Sequence, residues 1–197
     1  MSSTAREIYH SHRYTVGDYY RMVEAGILNE NSRVELIEGE VVDMPPIGSW
    51  HSGLTARIQN SLSRAVGQKA IVWTQNPIRL DDFSELQPDV ALLRPRPDFY
   101  TGAHPTPCDV LLLVEVADST LKYDREIKIP LYARHGIPEV WLVDVAGREL
   151  VVHRQPRQAA YAEIERPAGR EPFFLAALPD IRVDLAGLFG QPTSPEA

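Results

Sequence analysis

Hydrophobic residues follow two spacings along the chain, one typical of helices and the other of strands. Apolar residues recur at helical spacing between about residues 50 and 66, which predicts an amphipathic helix that ends at Gly67. A capping box at residues 15–18 predicts a shorter helix near the N-terminus. A third helix is predicted over residues 124–135, where Pro130 indicates either a late start or a kink.

Short apolar runs between turn residues predict the strands. The alternating stretch 33–44 predicts a β-hairpin. The runs 109–117 and 139–145 are almost continuously apolar, which is typical of strands covered by helices on both faces. Further strands are predicted over residues 70–74, 77–80, 88–93, 149–155 (an edge hairpin) and 181–185, and loops over residues 81–85 and 94–107. This order predicts an α/β fold in which helices flank a mixed β-sheet.

The length of 197 residues fits one domain, which we predict over residues 15–188. We expect an N-terminal arm over residues 1–14 and a disordered tail over residues 189–197. A lone Cys108 excludes a scaffold held by intramolecular disulfides and favours a reducing cytoplasm. No apolar stretch approaches the roughly 20 residues that cross a bilayer, so no membrane association is expected.

The net charge of −7 argues against a protein that coats nucleic acid without specificity. The charge is nevertheless uneven, because residues 44–80 contain no acidic residue and carry +4, whereas the rest of the chain carries −11. Either this segment includes a helix with a few solvated basic residues, or it forms one surface that faces phosphates.

Glu115 and Asp89 are the leading candidates for a functional site. Glu115 interrupts a buried strand, where an ionised carboxylate needs a partner, a metal ion or a proton. Asp89 opens another apolar strand, and if the two strands are neighbours the carboxylates can converge at one end of the sheet. A divalent cation would relieve their repulsion, and hard oxygen ligands favour Mg²⁺ or Mn²⁺. The alternatives are a structurally satisfied Glu115 and turn chemistry at Asp89.

Lys128 is the third candidate, in the predicted helix after the Glu115 strand. It could orient an attacking water and neutralise charge on a phosphate. The alternative is a surface lysine that pairs with Asp124.

Taken together, QPDVALLR around Asp89, LLVEVADST around Glu115 and YDREIKIPLYARHGIPEVWLVD over residues 123–144 resemble the PD-(D/E)XK nuclease superfamily. The order and spacing are most similar to its bacterial Uma-two family, over roughly residues 15–154. The resemblance implies a restriction-endonuclease-like core, dependence on Mg²⁺, and hydrolysis of phosphodiester bonds in DNA. It maps Asp89 and Glu115 onto the metal-binding carboxylates and Lys128 onto the catalytic lysine.

One position departs from the usual motif, which places a lysine two residues after the glutamate, because Ala117 stands there. In this family the lysine has moved to the following helix, which matches Lys128. Glu35 in the hairpin and His51 at the start of the long helix also match family positions and are weaker candidates for the site. Each has an alternative, since Glu35 could be solvated and His51 could be a cap or a core residue. Arg57 and Arg125 are candidate phosphate contacts.

Three functions remain open on the sequence alone. The first is a metal-dependent DNA endonuclease, and the second is a non-catalytic nucleic-acid-binding or regulatory protein that keeps the nuclease fold. A glycosidase that uses Glu115 with Glu35 is disfavoured, because sugar sites usually offer an aromatic platform and aromatic residues are only 8% of the chain. By analogy with other nucleases of this fold we expect a homodimer.

Overall fold

The computed structural model describes residues 11–29, 32–167, 173–185 and 187–189. Backbone contacts divide the chain into two compact units, Met1–Met44 with Arg79–Leu86, and Pro45–Ile78 with Gln87–Ala197. The predicted arm is described only from residue 11, and the predicted tail lies outside the described residues except for Phe189. None of the helices in the described ranges has the length and apolarity needed to cross a membrane.

In its described residues, the first unit combines a helix with a small sheet. Helix α1 (Val16–Glu24) begins with the predicted capping box, in which Thr15 and Asp18 bond each other's backbone N–H groups. The sheet has the order β2-β1-β5-β4, and its strands are β1 (Val34–Ile37), β2 (Glu40–Asp43), β4 (Ile78–Arg79, shared with the second unit) and β5 (Glu85–Leu86).

The predicted hairpin is the antiparallel β1–β2 pair. Its turn needs left-handed backbone at Glu38 (φ 50°) and Gly39 (φ 84°), and a Cβ on Gly39 would lie 2.6 Å from Cβ of Arg13. Residues 81–85 are not wholly a loop as predicted, because Glu85 begins β5 and pairs with Leu36. Two residues are too few to show a period, so the hydrophobic pattern could not predict this strand.

The second unit is built on a six-stranded mixed sheet of order β10-β9-β8-β7-β6-β3. Its strands are β3 (Ile71–Thr74), β6 (Val90–Leu93), β7 (Val110–Ala117), β8 (Glu139–Asp144), β9 (Glu149–Arg157) and β10 (Ala160–Glu165). Only β7 and β8 pair in parallel, whereas all the other neighbours in this sheet are antiparallel. The prediction of a mixed sheet is therefore confirmed.

One face of this sheet packs against helix α2 (Ser49–Val66) and a second hairpin, β11 (Phe173–Leu175) with β12 (Leu178–Val183). The core on this face joins Leu54, Ile58 and Leu62 of α2 to alternate residues of the central strands, such as Val114. The sequence pattern predicted only one strand here, over residues 181–185, because three residues of β11 are too short to show alternation.

The third helical segment replaces the predicted helix over residues 124–135. It consists of α3 (Leu121–Tyr123), a π-turn (Asp124–Lys128) and α4 (Ile129–Arg134). Pro130 lacks the N–H group that would bond the carbonyl four residues earlier, and the wider i→i+5 turn lies directly before it. The helix therefore starts earlier than predicted. Its backbone hydrogen bonding changes from i→i+5 to i→i+4 after Lys128.

Candidate active site

Strands β6 and β7 bring Asp89 and Glu115 to the same end of the large sheet. Val90 pairs with Val114, so continuing the antiparallel register by one residue places Asp89 opposite Glu115. Oδ2 of Asp89 accepts a hydrogen bond of 2.8 Å from the backbone N–H of Val116. Both carboxylates are buried. The sequence analysis made convergence of the two carboxylates conditional on their strands being neighbours, and β6 and β7 are neighbours.

Asp89 accepts two further hydrogen bonds from side chains. Nε2 of His51, on the first turn of α2, lies 3.1 Å from Oδ2, and Nε2 of Gln75 lies 3.3 Å from Oδ1. These three donors hold the carboxylate in one orientation beside β7. The structure therefore brings His51 into contact with Asp89, and its role in a functional site stays a prediction.

Gln75 is a site residue that the sequence analysis missed. It follows β3 with left-handed backbone (φ 49°), and its own N–H donates to the backbone carbonyl of Asp89 over 3.2 Å. A non-glycine residue in this conformation is uncommon and costs conformational energy, and such residues cluster at functional sites. The signal in the sequence was weak, because Gln75-Asn76 reads equally well as an ordinary turn.

Glu115 is held by the third helical segment, whereas Asp89 is held by residues of α2 and of the turn after β3. Oε1 of Glu115 lies 3.5 Å from Nζ of Lys128 and accepts a hydrogen bond from the hydroxyl of Tyr132. The side chains of Lys128 and Glu115 are 7% and 4% exposed, so this is a buried ion pair. The alternative of a surface lysine at position 128 is therefore wrong.

The π-turn positions Lys128 for this contact, since Lys128 is its last residue. Thr120 donates to Oδ2 of the buried Asp124 over 2.6 Å and anchors the start of the turn. Turns of this kind are rare and are frequent at functional sites. Tyr132, which the sequence analysis missed, lies one helical turn after Lys128, and that i, i+4 spacing was the available signal.

The donor set fits a hard divalent cation in part. Carboxylates on two neighbouring strands offer the kind of oxygen ligand that Mg²⁺ and Mn²⁺ prefer, and Mg²⁺ commonly takes one or two carboxylates, with waters and substrate phosphates as its other ligands. Within the described ranges, no three His, Cys, Asp or Glu side chains are grouped so that they could hold a metal ion. The remaining ligands would therefore have to come from water, the backbone or a substrate.

Glu35, Arg125 and Arg57 are the remaining candidates. Glu35 belongs to the first unit, where it is buried in β1 opposite Val42, so the alternative of a solvated hairpin residue is wrong. Arg125 is exposed in the π-turn. Arg57 is exposed on α2, and its guanidinium lies 3.5 Å from the carbonyl of Gly187. Phosphate contact by either arginine, and a role for Glu35 in the site, stay predictions.

Comparison with known proteins agrees with this architecture. The Uma2 family model, described as "Putative restriction endonuclease", matches residues 16–186. No curated protein matches the chain significantly.

A solved structure shows the fold. The crystal structure of a "putative nuclease belonging to DUF820" from Anabaena variabilis ATCC 29413 has a TM-score of 0.66 to this chain and is 18% identical in sequence. The match covers 89% of this chain and 97% of that one. The predicted restriction-endonuclease-like fold and the family resemblance are both confirmed. Since the family model spans most of its length, the chain belongs to the Uma2 family of restriction-endonuclease-like proteins.

Proposed function

We propose that the chain is a metal-dependent DNA endonuclease that hydrolyses phosphodiester bonds. The observation that supports this most strongly is that Asp89 and Glu115 occupy opposing positions on neighbouring strands, with Lys128 in contact with Glu115, in a chain with this fold. Asp89 and Glu115 lie across neighbouring strands, and the ammonium group of Lys128 lies 3.5 Å from Glu115. Carboxylates that can hold a divalent cation and a lysine that can stabilise negative charge are groups suited to the hydrolysis of a phosphodiester.

Asp89 and Glu115 would hold Mg²⁺ or Mn²⁺. A bound divalent cation supplies Lewis-acid stabilisation of the charge that develops on the phosphate. The chain itself supplies orientation, because His51 and Gln75 bond Asp89 while Tyr132 bonds Glu115. Carboxylates that are held in place in this way do not have to reorganise when substrate binds.

Lys128 would act on the nucleophile and on the phosphate. Its ammonium group can donate to a water molecule that attacks phosphorus in line with the leaving oxygen. The new P–O bond forms as the ester P–O bond breaks, while the attacking water gives up a proton to solvent and the leaving oxygen takes up one from solvent. Because Lys128 is buried, its charge is poorly screened by solvent and acts strongly on the reacting phosphate.

Cleavage of plasmid DNA and of circular single-stranded DNA in Mg²⁺ or Mn²⁺ tests this proposal. We expect cleavage by the wild type and a loss of roughly 10²-fold or more in Asp89→Asn, because one carboxylate of the pair is removed. Asp180→Asn is the matched control, since Asp180 is an exposed carboxylate on β12. Cleavage by Asp89→Asn at the wild-type rate would contradict the proposal.

The alternative is a non-catalytic nucleic-acid-binding protein that keeps the fold. The replacement of the usual motif lysine by Ala117 favours it, as does the hydrogen bonding that already satisfies Asp89. It predicts DNA binding in a mobility-shift assay without cleavage of either substrate in any divalent metal.

A further inference from the structure

An open cavity of about 510 Å³ lies within the second unit, outside the group of side chains described above. Its lining includes Trp50 and Arg57 of α2, Asp118 after β7, Arg148 in the β8–β9 turn, and Phe189. This volume is within the range of pockets that hold small organic ligands and is large enough for one nucleotide.

Two chain segments lead directly from the candidate active site to this cavity. Trp50 immediately precedes His51, which bonds Asp89. Asp118 follows Glu115 by three residues. The two segments also approach each other, since a Cβ on Gly48 would lie 3.5 Å from Oδ2 of Asp118. A ligand in the cavity would therefore be connected to Asp89 and Glu115 through only a few residues of each segment.

The aromatic residues of the lining suit a flat, unsaturated ring. Trp50 is 59% exposed although it is a large apolar side chain, so packing within the chain does not explain its position. The guanidinium of Arg148 lies 5.6 Å from the ring centroid of Phe189 and donates to the Phe189 carbonyl over 3.2 Å. Aromatic rings and arginine planes are the surfaces on which unpaired nucleobases stack.

The charged residues of the lining suit a nucleotide in particular. Arg57 and Arg148 are exposed cations that can meet a phosphate. Asp118 is exposed, and no hydrogen bond or ion pair involves it among the described residues. An ionised carboxylate only accepts hydrogen bonds, and it accepts two when a ligand presents adjacent donors. Guanine presents two adjacent donors, N1–H and the N2 amino group, on its Watson–Crick edge.

We propose that this cavity binds an unpaired guanine nucleotide of the DNA strand that is cut. The base stacks on Trp50 and Phe189, Asp118 accepts from its Watson–Crick edge, and Arg57 and Arg148 meet the phosphates. The inference rests on the proposed nuclease function for its substrate, and it adds a sequence preference to that function. Because the base must be unstacked to enter the cavity, we also expect the protein to prefer single-stranded or unpaired DNA.

Calorimetric titration with 5′-GMP, AMP, CMP and TMP, in EDTA so that no divalent metal binds the phosphate, tests the cavity directly. We expect GMP to bind the wild type roughly tenfold more tightly than the other three nucleotides. Asp118→Asn should reduce that preference to about twofold, because an amide replaces one acceptor by a donor. Trp50→Ala should reduce the affinity for all four nucleotides by roughly tenfold, because the stacking contact is lost.

Two matched substitutions outside the lining serve as controls. Phe174→Ala removes a half-exposed aromatic ring, and Asp180→Asn neutralises an exposed carboxylate. Neither substitution should change nucleotide binding. Equal affinity for the four nucleotides, or a GMP preference that Asp118→Asn leaves intact, would overturn the proposal.

Fluorescence anisotropy with labelled ten-nucleotide strands separates a DNA site from a site for free nucleotides. A thymidine decamer with one central dG should bind the wild type more tightly than a decamer of thymidine alone, and Asp118→Asn should remove that difference. If GMP binds but the two decamers bind equally, the assignment to the DNA strand is wrong. If the protein never cuts DNA but keeps both the GMP preference and the difference between the decamers, the proposed function is wrong and the cavity is a guanine site for bound, uncut DNA.

Discussion

The buried ion pair between Lys128 and Glu115 determines what single substitutions at the site will do. Removal of one partner from a buried pair typically costs about 3–5 kcal/mol, because the other charge stays in a poorly solvated place. Glu115→Ala would leave Lys128 in that position, so we expect it to lower the metal-free melting temperature. The sequence alone left open the opposite result, a higher melting temperature through relief of repulsion between Asp89 and Glu115, but it did not show the ion pair with Lys128.

Lys128→Ala should separate catalysis from metal binding. We expect DNA cleavage to fall by roughly 10²-fold, since one preorganised charge is lost from the transition state. The free energy of unfolding should fall by about 3 kcal/mol without metal, and Mg²⁺ should restore more of it than in the wild type, because the cation neutralises Glu115. Single-turnover cleavage and thermal melting measure the two effects.

Lys122→Ala and Arg125→Ala are the matched controls for this variant, since both are exposed cations in the same helical segment. They should weaken DNA binding and reduce its salt dependence while the single-turnover rate is unchanged. Ala117→Lys in the Lys128→Ala background should recover part of the rate, because position 117 shares the Glu115 face of β7. A Lys128→Ala variant that cuts at the wild-type rate would refute the role given to this lysine.

Some site residues could be predicted from the sequence because they break a pattern. Glu115 interrupts an apolar strand, and Asp89 stands at the edge of another. Gln75 and Tyr132 break no pattern, since a glutamine after a strand and a tyrosine in a helix are both ordinary. Their roles arise only when tertiary contacts bring them to Asp89 and Glu115.

At the scale of elements, length decided which strands could be predicted. β7 has eight residues with an unbroken apolar pattern, and the sequence analysis placed it within one residue. β5 and β11 have two and three residues and show no period. The π-turn could not be predicted either, because a π-turn and an α-helix have almost the same apolar spacing over five residues.

Strand β9 carries a buried histidine, His153, near the third helical segment. Titration of this histidine should make the free energy of unfolding depend on pH. Burial, together with the charges of Arg166 and Arg125, lowers the pKa of the His153 imidazole to about 4 from an ordinary value of 6.5. The unfolded chain therefore binds more protons between these pH values, so the free energy of unfolding falls as the pH drops from 6.5 to 4. The loss from this group should reach about 2–3 kcal/mol.

Denaturant unfolding of the wild type and of His153→Gln between pH 8 and pH 4 measures this effect. The variant should lose less stability than the wild type across that window, because glutamine does not titrate. Tyr161, whose ring lies 5.7 Å from that of His153, stays in place in both proteins. Parallel stability curves for the two proteins would show that His153 is not the group responsible.

At the scale of the whole molecule, we propose a homodimer that pairs through the β10 edge. β10 is an outer strand of the six-stranded sheet, and Ile164 on it is half-exposed. An open strand edge offers unpaired backbone groups to a second copy of the chain. Light scattering at tens of micromolar protein should give about twice the 22.1 kDa mass of the chain.

Ile164→Lys should shift that mass to the monomer, because charged side chains on an edge strand prevent pairing. Ile27→Lys is the control, since Ile27 is an exposed isoleucine of the first unit. A monomeric wild type at these concentrations would rule out the dimer.

The central claim is that Asp89 and Glu115 together hold a divalent cation, and calorimetric titration with Mn²⁺ tests it most directly. We expect the wild type to bind Mn²⁺ with a measurable heat that both Asp89→Asn and Glu115→Gln abolish, because each removes one charged ligand from the pair. Asp180→Asn should bind Mn²⁺ as the wild type does. Absence of a binding heat in the wild type, or an unchanged heat in both site variants, would contradict the account.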